Sequence, residues 1–418
     1  MKRNVILSVI DQGGLSAFNF SVNVILIRVL TPENYGLYSL LFALGLTATS
    51  IQNALINTPL SVRWSRSNYI EKIKLESSLS LVNTFFLIIV FILSLLLSSY
   101  LSEDNTLTVA IALYITSVPA REFIKSRFFS KVLVQQVINL DVIFVLLSAL
   151  LIFLSYFLYG TVNLISALMS IAVAGYTSAF YGKASLKMKV DGQIRTNDLL
   201  KEYVTIWQES RWSLVGVVTT ELQNRGYIFI VSLFFGNATL ALLQAGRVIY
   251  GPLNLLTAAW GKVSTPYLSG LFFNSQLRAF QKYLLIAGSG FILFNLIFGI
   301  ILYTAWPYLE PLIYGGKYSD IAIVVFLWAV VTVLIQVRST GSVGVQAMNC
   351  FKPLAFATIY GSLVSGIVLL SVCLINQPIW AIFSLLSGEM IALFYIVIVI
   401  KKYINEQSDE KLIKGENS

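Results

Sequence analysis

The chain has 418 residues, 57% of them hydrophobic and only 12% charged, with a mean hydropathy of +0.78, a composition that excludes an ordinary soluble domain. It contains no histidine and two cysteines, Cys350 and Cys373, which removes histidine-based zinc sites, Ser-His-Asp catalysis and a disulfide framework. The net charge of +9 calls for no nucleic acid, since the excess cations flank apolar runs where anionic lipid headgroups lie.

Twelve apolar runs are long enough, at about 20 residues each, to cross ~30 Å of hydrocarbon. They fall near 5–27, 37–57, 78–100, 106–124, 136–158, 162–182, 207–234, 239–260, 282–304, 320–340, 354–375 and 378–400. Long continuous runs rather than ten-residue alternations predict helices, not a barrel. Met1-Lys2-Arg3 and the run behind it resemble a signal peptide, but Asp11-Gln12 interrupts the run and no small-residue cleavage site follows; the segment reads as the first membrane helix.

That first helix carries a polar stripe, Ser8, Gln12, Ser16, Asn19 and Asn23, with Asp11 at its edge, at spacings that hold one helical face. The second adds Thr49, Asn53 and Asn57. The third and ninth runs show little of this and read as lipid-facing supports.

Tyr203 to Pro252 is the most informative stretch. Two apolar segments meet at Gly236-Asn237-Ala238, with Arg211, Glu221, Arg225 and Arg247 inside them. A charge at mid-membrane costs roughly 2.5 to 3.5 kcal/mol on insertion scales and is by default functional. Arg211 and Arg225 return to within about 40° of each other on a helix, and Glu221 precedes Arg225 by one turn. Glu221 and Arg225 read equally as a plain i,i+4 ion pair. Arg247, Tyr250, Asn254 and Thr257 form a further stripe, whose other reading is hydrogen bonding between helices. Arg338 and Glu389 stand as isolated charges in later runs, either interhelical glue, snorkelling ends or functional groups.

Loop cations set the orientation. Of the 29 lysines and arginines, Arg28 and Lys317 fall on one side and Arg211, Arg225, Arg247 and Arg338 inside the runs; the rest, including Arg121, Lys125, Arg127 and Lys131, collect on the other side. Both termini are therefore expected in the cytoplasm. The expected domains are an N-terminal six-helix bundle (1–182), a basic cytoplasmic linker (183–206), a C-terminal six-helix bundle (207–400) and a cytoplasmic tail (401–418). Similar endings of the second helix in each half, Asn57-Thr58-Pro59-Leu60 and Ser264-Thr265-Pro266-Tyr267-Leu268, suggest a duplication.

At Arg28-Val29-Leu30-Thr31-Pro32-Glu33-Asn34-Tyr35-Gly36-Leu37-Tyr38-Ser39, at Pro266-Tyr267-Leu268 and at Leu312-Ile313-Tyr314-Gly315-Gly316-Lys317-Tyr318-Ser319, the chain resembles the polysaccharide-transport branch of the multidrug/oligosaccharidyl-lipid/polysaccharide (MOP) exporter superfamily, which includes the O-antigen repeat-unit flippases. The resemblance implies an all-α polytopic fold of two six-helix bundles around a central cavity, in a bacterial cytoplasmic membrane. It implies movement of an undecaprenyl-pyrophosphate-linked sugar repeat unit, an O-antigen or capsule precursor, to the outer leaflet, with a polysaccharide polymerase and a chain-length regulator as partners beside membrane lipids.

A lipid pyrophosphate bearing sugars needs cations and hydrogen-bonding groups. Arg211, Arg225, Arg247 and Arg28 would supply the first, and Asn19, Asn23, Asn53, Tyr250 and Asn254 the second. No nucleotide-binding motif is present, and neither cofactor nor metal is expected. Asp11, Glu221 and Glu389, deep within runs, are the candidates to carry a coupling proton or Na⁺. A multidrug antiporter of the same superfamily is the alternative, though its cavity would be expected to be more acidic. A membrane-embedded glycosyltransferase would need a large loop, which the sequence lacks.

Overall fold

A computed structural model describes residues 2–64, 67–101, 103–186 and 196–413; the middle of the expected linker, 187–195, and the end of the tail lie outside this range. The described residues are helical throughout, without strands. In order they form α1 (Lys2–Val29), α2 (Pro32–Gln52), a π-helical turn (Asn53–Asn57), α3 (Thr58–Trp64), α4 (Tyr69–Leu101), α5 (Asn105–Ser130), α6 (Val134–Tyr159) and α7 (Leu164–Ser185). There follow α8 (Thr196–Val248), α9 (Gly251–Phe273), α10 (Leu277–Ile313), α11 (Ile321–Ala347), α12 (Phe351–Ile375) and α13 (Ala381–Ile413).

Among the described residues ten helices are long and apolar enough to cross a membrane, so the chain is a multi-pass membrane protein. Twelve such runs are expected from the sequence; α1, with its polar stripe, does not reach this measure, and the expected eighth run is cut in two. Its first part continues α8 beyond Gly236, where φ of 80° and ψ of 170° break the helix, values open to glycine. The helix then stops at Ile249-Tyr250 and restarts as α9 with proline in its first turn, the position where a missing N–H is harmless. Hydroxyl and indole groups occupy carbonyls beside this break: Trp328 Nε1 donates to Leu243 O at 2.9 Å and Tyr314 Oη to Ala245 O at 3.2 Å.

The chain divides into two compact units. The first comprises 1–19 and 29–221, the second 20–28 and 222–418, so α1 and α8 each contribute to both. In the first unit α5 is the central helix, packed on α2, α4 and α7, with α6 against α7. A buried polar network ties it together: Gln52 Nε2 donates to Asn83 Oδ1 at 2.7 Å and to Pro119 O at 2.9 Å, and Asn57 Nδ2 donates to Gln52 Oε1 at 3.2 Å. Apolar packing of Ile56, Leu79, Phe123, Leu140 and Ile206 surrounds one end. Pro59, at the start of α3, cannot donate to Leu55 O; Tyr203 Oη reaches that carbonyl at 3.5 Å, and burial raises the Tyr203 phenol above its ordinary pKa.

In the second unit α11 packs on α9, α10 and α13, and α12 lies along α13. A Cβ added to Gly361 would lie 2.8 Å from Gly388 O, and one on Gly388 2.7 Å from Gly361 O; the absent side chains let α12 and α13 approach backbone to backbone. The third and ninth runs, expected to face lipid, are exposed over most of their length. Ile88, Ile92 and Leu96 of α4 and Leu285, Leu293 and Ile300 of α10 are exposed.

Candidate functional site

Charge inside the first unit gathers where α5 and α6 meet α1. Lys125 Nζ pairs with Asp141 Oδ2 and lies 3.9 Å from Asp11 Oδ2. Arg121 Nη1 is 3.4 Å from Asp141 Oδ1, and its guanidinium sits 3.7 Å from the centre of the Phe144 ring. Asp11 Oδ2 and Asp141 Oδ1 are buried and accept no hydrogen bond among the described residues. Two carboxylates thus converge on one ammonium, and the tighter contact belongs to Asp141. Asp11 holds the weaker contact, so protonating it costs the least ion pairing.

This corrects two readings of the sequence. Arg121, Lys125 and Arg127, expected among loop cations, lie on α5 with buried carboxylate partners, because the helix runs on to Ser130. Asp141 was passed over among the intramembrane carboxylates; the interruption of the α6 apolar run by one acidic residue was its visible signal.

Glu221 is half-buried and accepts from Ser50 Oγ at 2.9 Å and Thr47 Oγ1 at 3.3 Å. The α2 hydroxyls that hold it come from the same helix as the stripe read for sugars. In that stripe Thr49 donates back to Gly45 O at 2.8 Å, while Asn53 Oδ1 accepts from Asn57 Nδ2 at 2.6 Å. A small cleft of about 260 Å³ opens beside Asn53, Asn57, Ser61, Glu122 and Ser126.

In the second unit Arg247 is the best-defined cation. Its Nη1 donates to Tyr227 Oη at 3.1 Å, and its guanidinium stands 5.3 Å from the Trp328 ring centre. Gln244 Nε2 donates to the same phenol oxygen at 2.6 Å. Tyr227 and Trp328 therefore hold one half-buried guanidinium, and Gln244 holds the phenol. Of the remaining stripe, Tyr250 is buried and donates to Val325 O at 2.8 Å, Thr257 donates to Leu253 O at 3.3 Å, and Asn254 is exposed.

Arg338 and Glu389, isolated in sequence, are partners. Arg338 Nε donates to Glu389 Oε2 at 2.6 Å, and Gln223 Nε2 donates to Oε1 at 3.3 Å. Arg28 donates through Nη1 to Pro311 O at 2.7 Å and Leu312 O at 2.5 Å, capping the carbonyl end of α10 where a cation is favoured. Lys317 Nζ in turn donates to Arg28 O. Burial, with the neighbouring Arg28 charge, pulls the Lys317 pKa below its ordinary value. Two of the stretches that carry the sequence resemblance thus meet at Arg28.

The remaining predicted residues sit on the two helices shared between the units. Arg211 is exposed and Arg225 half-buried on α8; Asn19 and Asn23 are half-buried on α1. The Ser8 side chain, first in the α1 stripe, lies outside the described residues. No group of three or more acidic, cysteine or histidine side chains suited to a metal ion occurs among the described residues.

No known family model matches the chain, and no curated protein sequence matches it. Solved structures do. The lipid II flippase MurJ, in an inward closed conformation, aligns with a TM-score of 0.75 and 16% identity, covering 98% of this chain and 91% of its own. An inward-facing multidrug resistance MATE family transporter of the MOP superfamily aligns at 0.69 and 12%, covering 94% and 96%. A MOP superfamily transporter from Pyrococcus furiosus, described by a reversed polarity of its binding pocket, aligns at 0.56 and 8%, covering 96% and 93%. These neighbours are transporters and flippases rather than enzymes, and this chain has the fold they share.

Proposed function

We propose that the protein is a flippase that carries an undecaprenyl-pyrophosphate-linked oligosaccharide, an O-antigen or capsule precursor, across a bacterial cytoplasmic membrane. The observation that carries this reading is Arg247, a half-buried guanidinium inside an apolar bundle, held by Tyr227 and beside the Trp328 ring. A planar cation held in place and away from bulk water suits a phosphate, and a cationic drug would be repelled by it. Arg211 and Arg225 add cations to the same long helix, and Asn19, Asn23, Asn53 and Asn254 supply amides for sugar hydroxyls. Likeness to a lipid II flippase over nearly the whole chain supports a lipid-type cargo.

Driving force fits Asp11. Among the four charges gathered where α1, α5 and α6 meet, Asp11 has the loosest contact, so it is the natural carrier of a coupling proton or Na⁺. Glu221 and Glu389 are held by hydroxyls and by Arg338 respectively, which makes both less free to change charge. On this reading both termini are cytoplasmic, and a polymerase and a chain-length regulator act on the exported unit.

The reading is tested in proteoliposomes holding a lipid-linked oligosaccharide, with an impermeant glycosidase outside. Protein-dependent exposure of the inner-leaflet sugars, without ethidium loss from dye-loaded vesicles, is expected. Ethidium efflux with no sugar exposure would overturn it in favour of a multidrug antiporter, the reading that the MATE likeness supports.

A further inference from the structure

A second polar site lies in the first unit, away from the groups used above. A cleft of about 790 Å³ is lined by residues of α4, α5 and α7. Its walls are apolar over most of their course, with Leu81, Leu87 and Phe180 among them. Phe180 is 75% exposed, as expected of a side chain that faces lipid. Ser80, Asn83, Thr84 and Tyr176 also line it, but its charged groups are Glu76, Arg127 and Lys183, with Ser77 beside Glu76.

Glu76 is only 1% exposed. Arg127 Nε at 2.6 Å, Arg127 Nη2 at 2.5 Å and Lys131 Nζ at 3.0 Å all converge on its Oε1. The other oxygen, Oε2, is buried and accepts no hydrogen bond among the described residues, and neither does Ser77 Oγ find a partner. Leaving a buried carboxylate oxygen unpaired is expensive. The missing partner is therefore a donor, and a charged donor answers a carboxylate better than a neutral one. Lys183 lines the same cleft with an exposed side chain and calls for an anion. From Glu76 to Leu87 the α4 backbone rises about 16 Å, close to the ~15 Å of one leaflet's hydrocarbon.

We propose that this cleft is a lateral binding site for a phospholipid whose head group carries a primary ammonium beside its phosphate. The ammonium donates to Glu76 Oε2, the phosphate meets Lys183 and the Ser77 hydroxyl, and an acyl chain lies along Leu81, Leu87 and Phe180. Choline phospholipids have no N–H to offer and glycerol head groups only neutral donors, so the site discriminates among lipids of equal chain length. On the loop-charge orientation the charged groups face the cytoplasm, which places the site in the inner leaflet. The proposal does not depend on what the protein transports.

The test is native mass spectrometry of the full chain in detergent with an equimolar mixture of dioleoyl phosphatidylethanolamine, its mono- and dimethyl derivatives, phosphatidylcholine and phosphatidylglycerol. Retention should fall stepwise with methylation, about tenfold from ethanolamine to choline, the scale of one charge-assisted hydrogen bond. Thr84→Trp, which fills the cleft, should abolish retention of all five lipids, and Lys183→Gln, on an exposed side chain, should lower retention of all five alike, since each carries the phosphate. Equal retention across the series, glycerol retained as well as ethanolamine, or retention untouched by Lys183→Gln would overturn the proposal. If Thr84→Trp does not fold, Lys183→Gln and the methylation series decide it.

Discussion

Arg338 and Glu389 form a buried ion pair between α11 and α13, with Nε 2.6 Å from Oε2 and Gln223 closing the second carboxylate oxygen. Glu389 is 3% exposed, so removing either partner strands a charge. Arg338→Gln or Glu389→Gln should each lower stability by about 3 to 5 kcal/mol, and the double substitution by less than either. Thermal unfolding of the three variants in detergent checks this. If the stable double variant transports normally, Glu389 is structural; if it folds and does not transport, Glu389 carries coupling charge.

Asp11 is expected to behave differently. Asp11→Asn removes the looser of two carboxylates at Lys125 while Asp141 remains, so the fold should persist while transport loses its response to an imposed pH or Na⁺ gradient. Asp141→Asn should instead cost about 3 kcal/mol or more, because Lys125 and Arg121 both lose their main partner. Gradient-driven uptake and melting temperature, measured on the same preparations, separate the two; an Asp11→Asn protein with full gradient response would end the coupling role.

Arg247 carries a charge requirement with a geometric component. Arg247→Gln should abolish most lipid-linked oligosaccharide export at normal protein abundance, and Arg247→Lys should keep part of it, having charge without the planar fork. Tyr227→Phe, which releases Nη1 and Gln244, should weaken substrate binding by about 1 kcal/mol. Undiminished export by Arg247→Gln would return the residue to a packing role.

Close approach of α12 and α13 predicts a sharp contrast among glycines. Gly361→Ala places a methyl 2.8 Å from a backbone carbonyl, whereas a Cβ on Gly366, five residues along α12, meets nothing within 4 Å. The first should destabilise by about 1 to 3 kcal/mol, as overpacking does, and the second should be neutral. Detergent melting curves of the two variants give the answer.

Topology is tested by single cysteines after replacing Cys350 and Cys373. Cysteines at Asn105 and Asn376 should react with an impermeant thiol reagent from outside the cell, and one at Ser67 should not. The reverse pattern would invert the orientation taken from loop charge.

Much of the helical plan was legible because membrane spans announce themselves by length and apolarity. The break at Gly236 was also visible, since turn residues interrupt an apolar run. Harder to read were contacts between distant segments. Nothing in the sequence ties Arg338 to Glu389, or sets Gly361 against Gly388, because neither pair shares a helix. Lys125 and Arg121 looked like loop cations because helix ends cannot be fixed by hydropathy once a helix continues past its apolar core. For the motif at Thr31-Pro32, the structure shows local physics: Thr31 caps α2 by accepting from Asn34 N, proline takes the first turn, and Tyr35 and Tyr38 are buried.

The π-helical turn at 53–57 amounts to one residue more than an α-helix needs, the usual origin of such a bulge. Deleting one of these five residues would turn the bulge back into α-helix, with Pro59 still lacking an N–H to donate. Because the wide turn absorbs the extra residue, its loss would leave the faces beyond it nearly in phase but draw them back by about 1.5 Å, shifting Leu60 within its apolar cluster and Pro59 against Tyr203. The segment should therefore tolerate side-chain substitution better than a change of length. A single-codon deletion here would be more damaging than any one point mutation among its exposed neighbours.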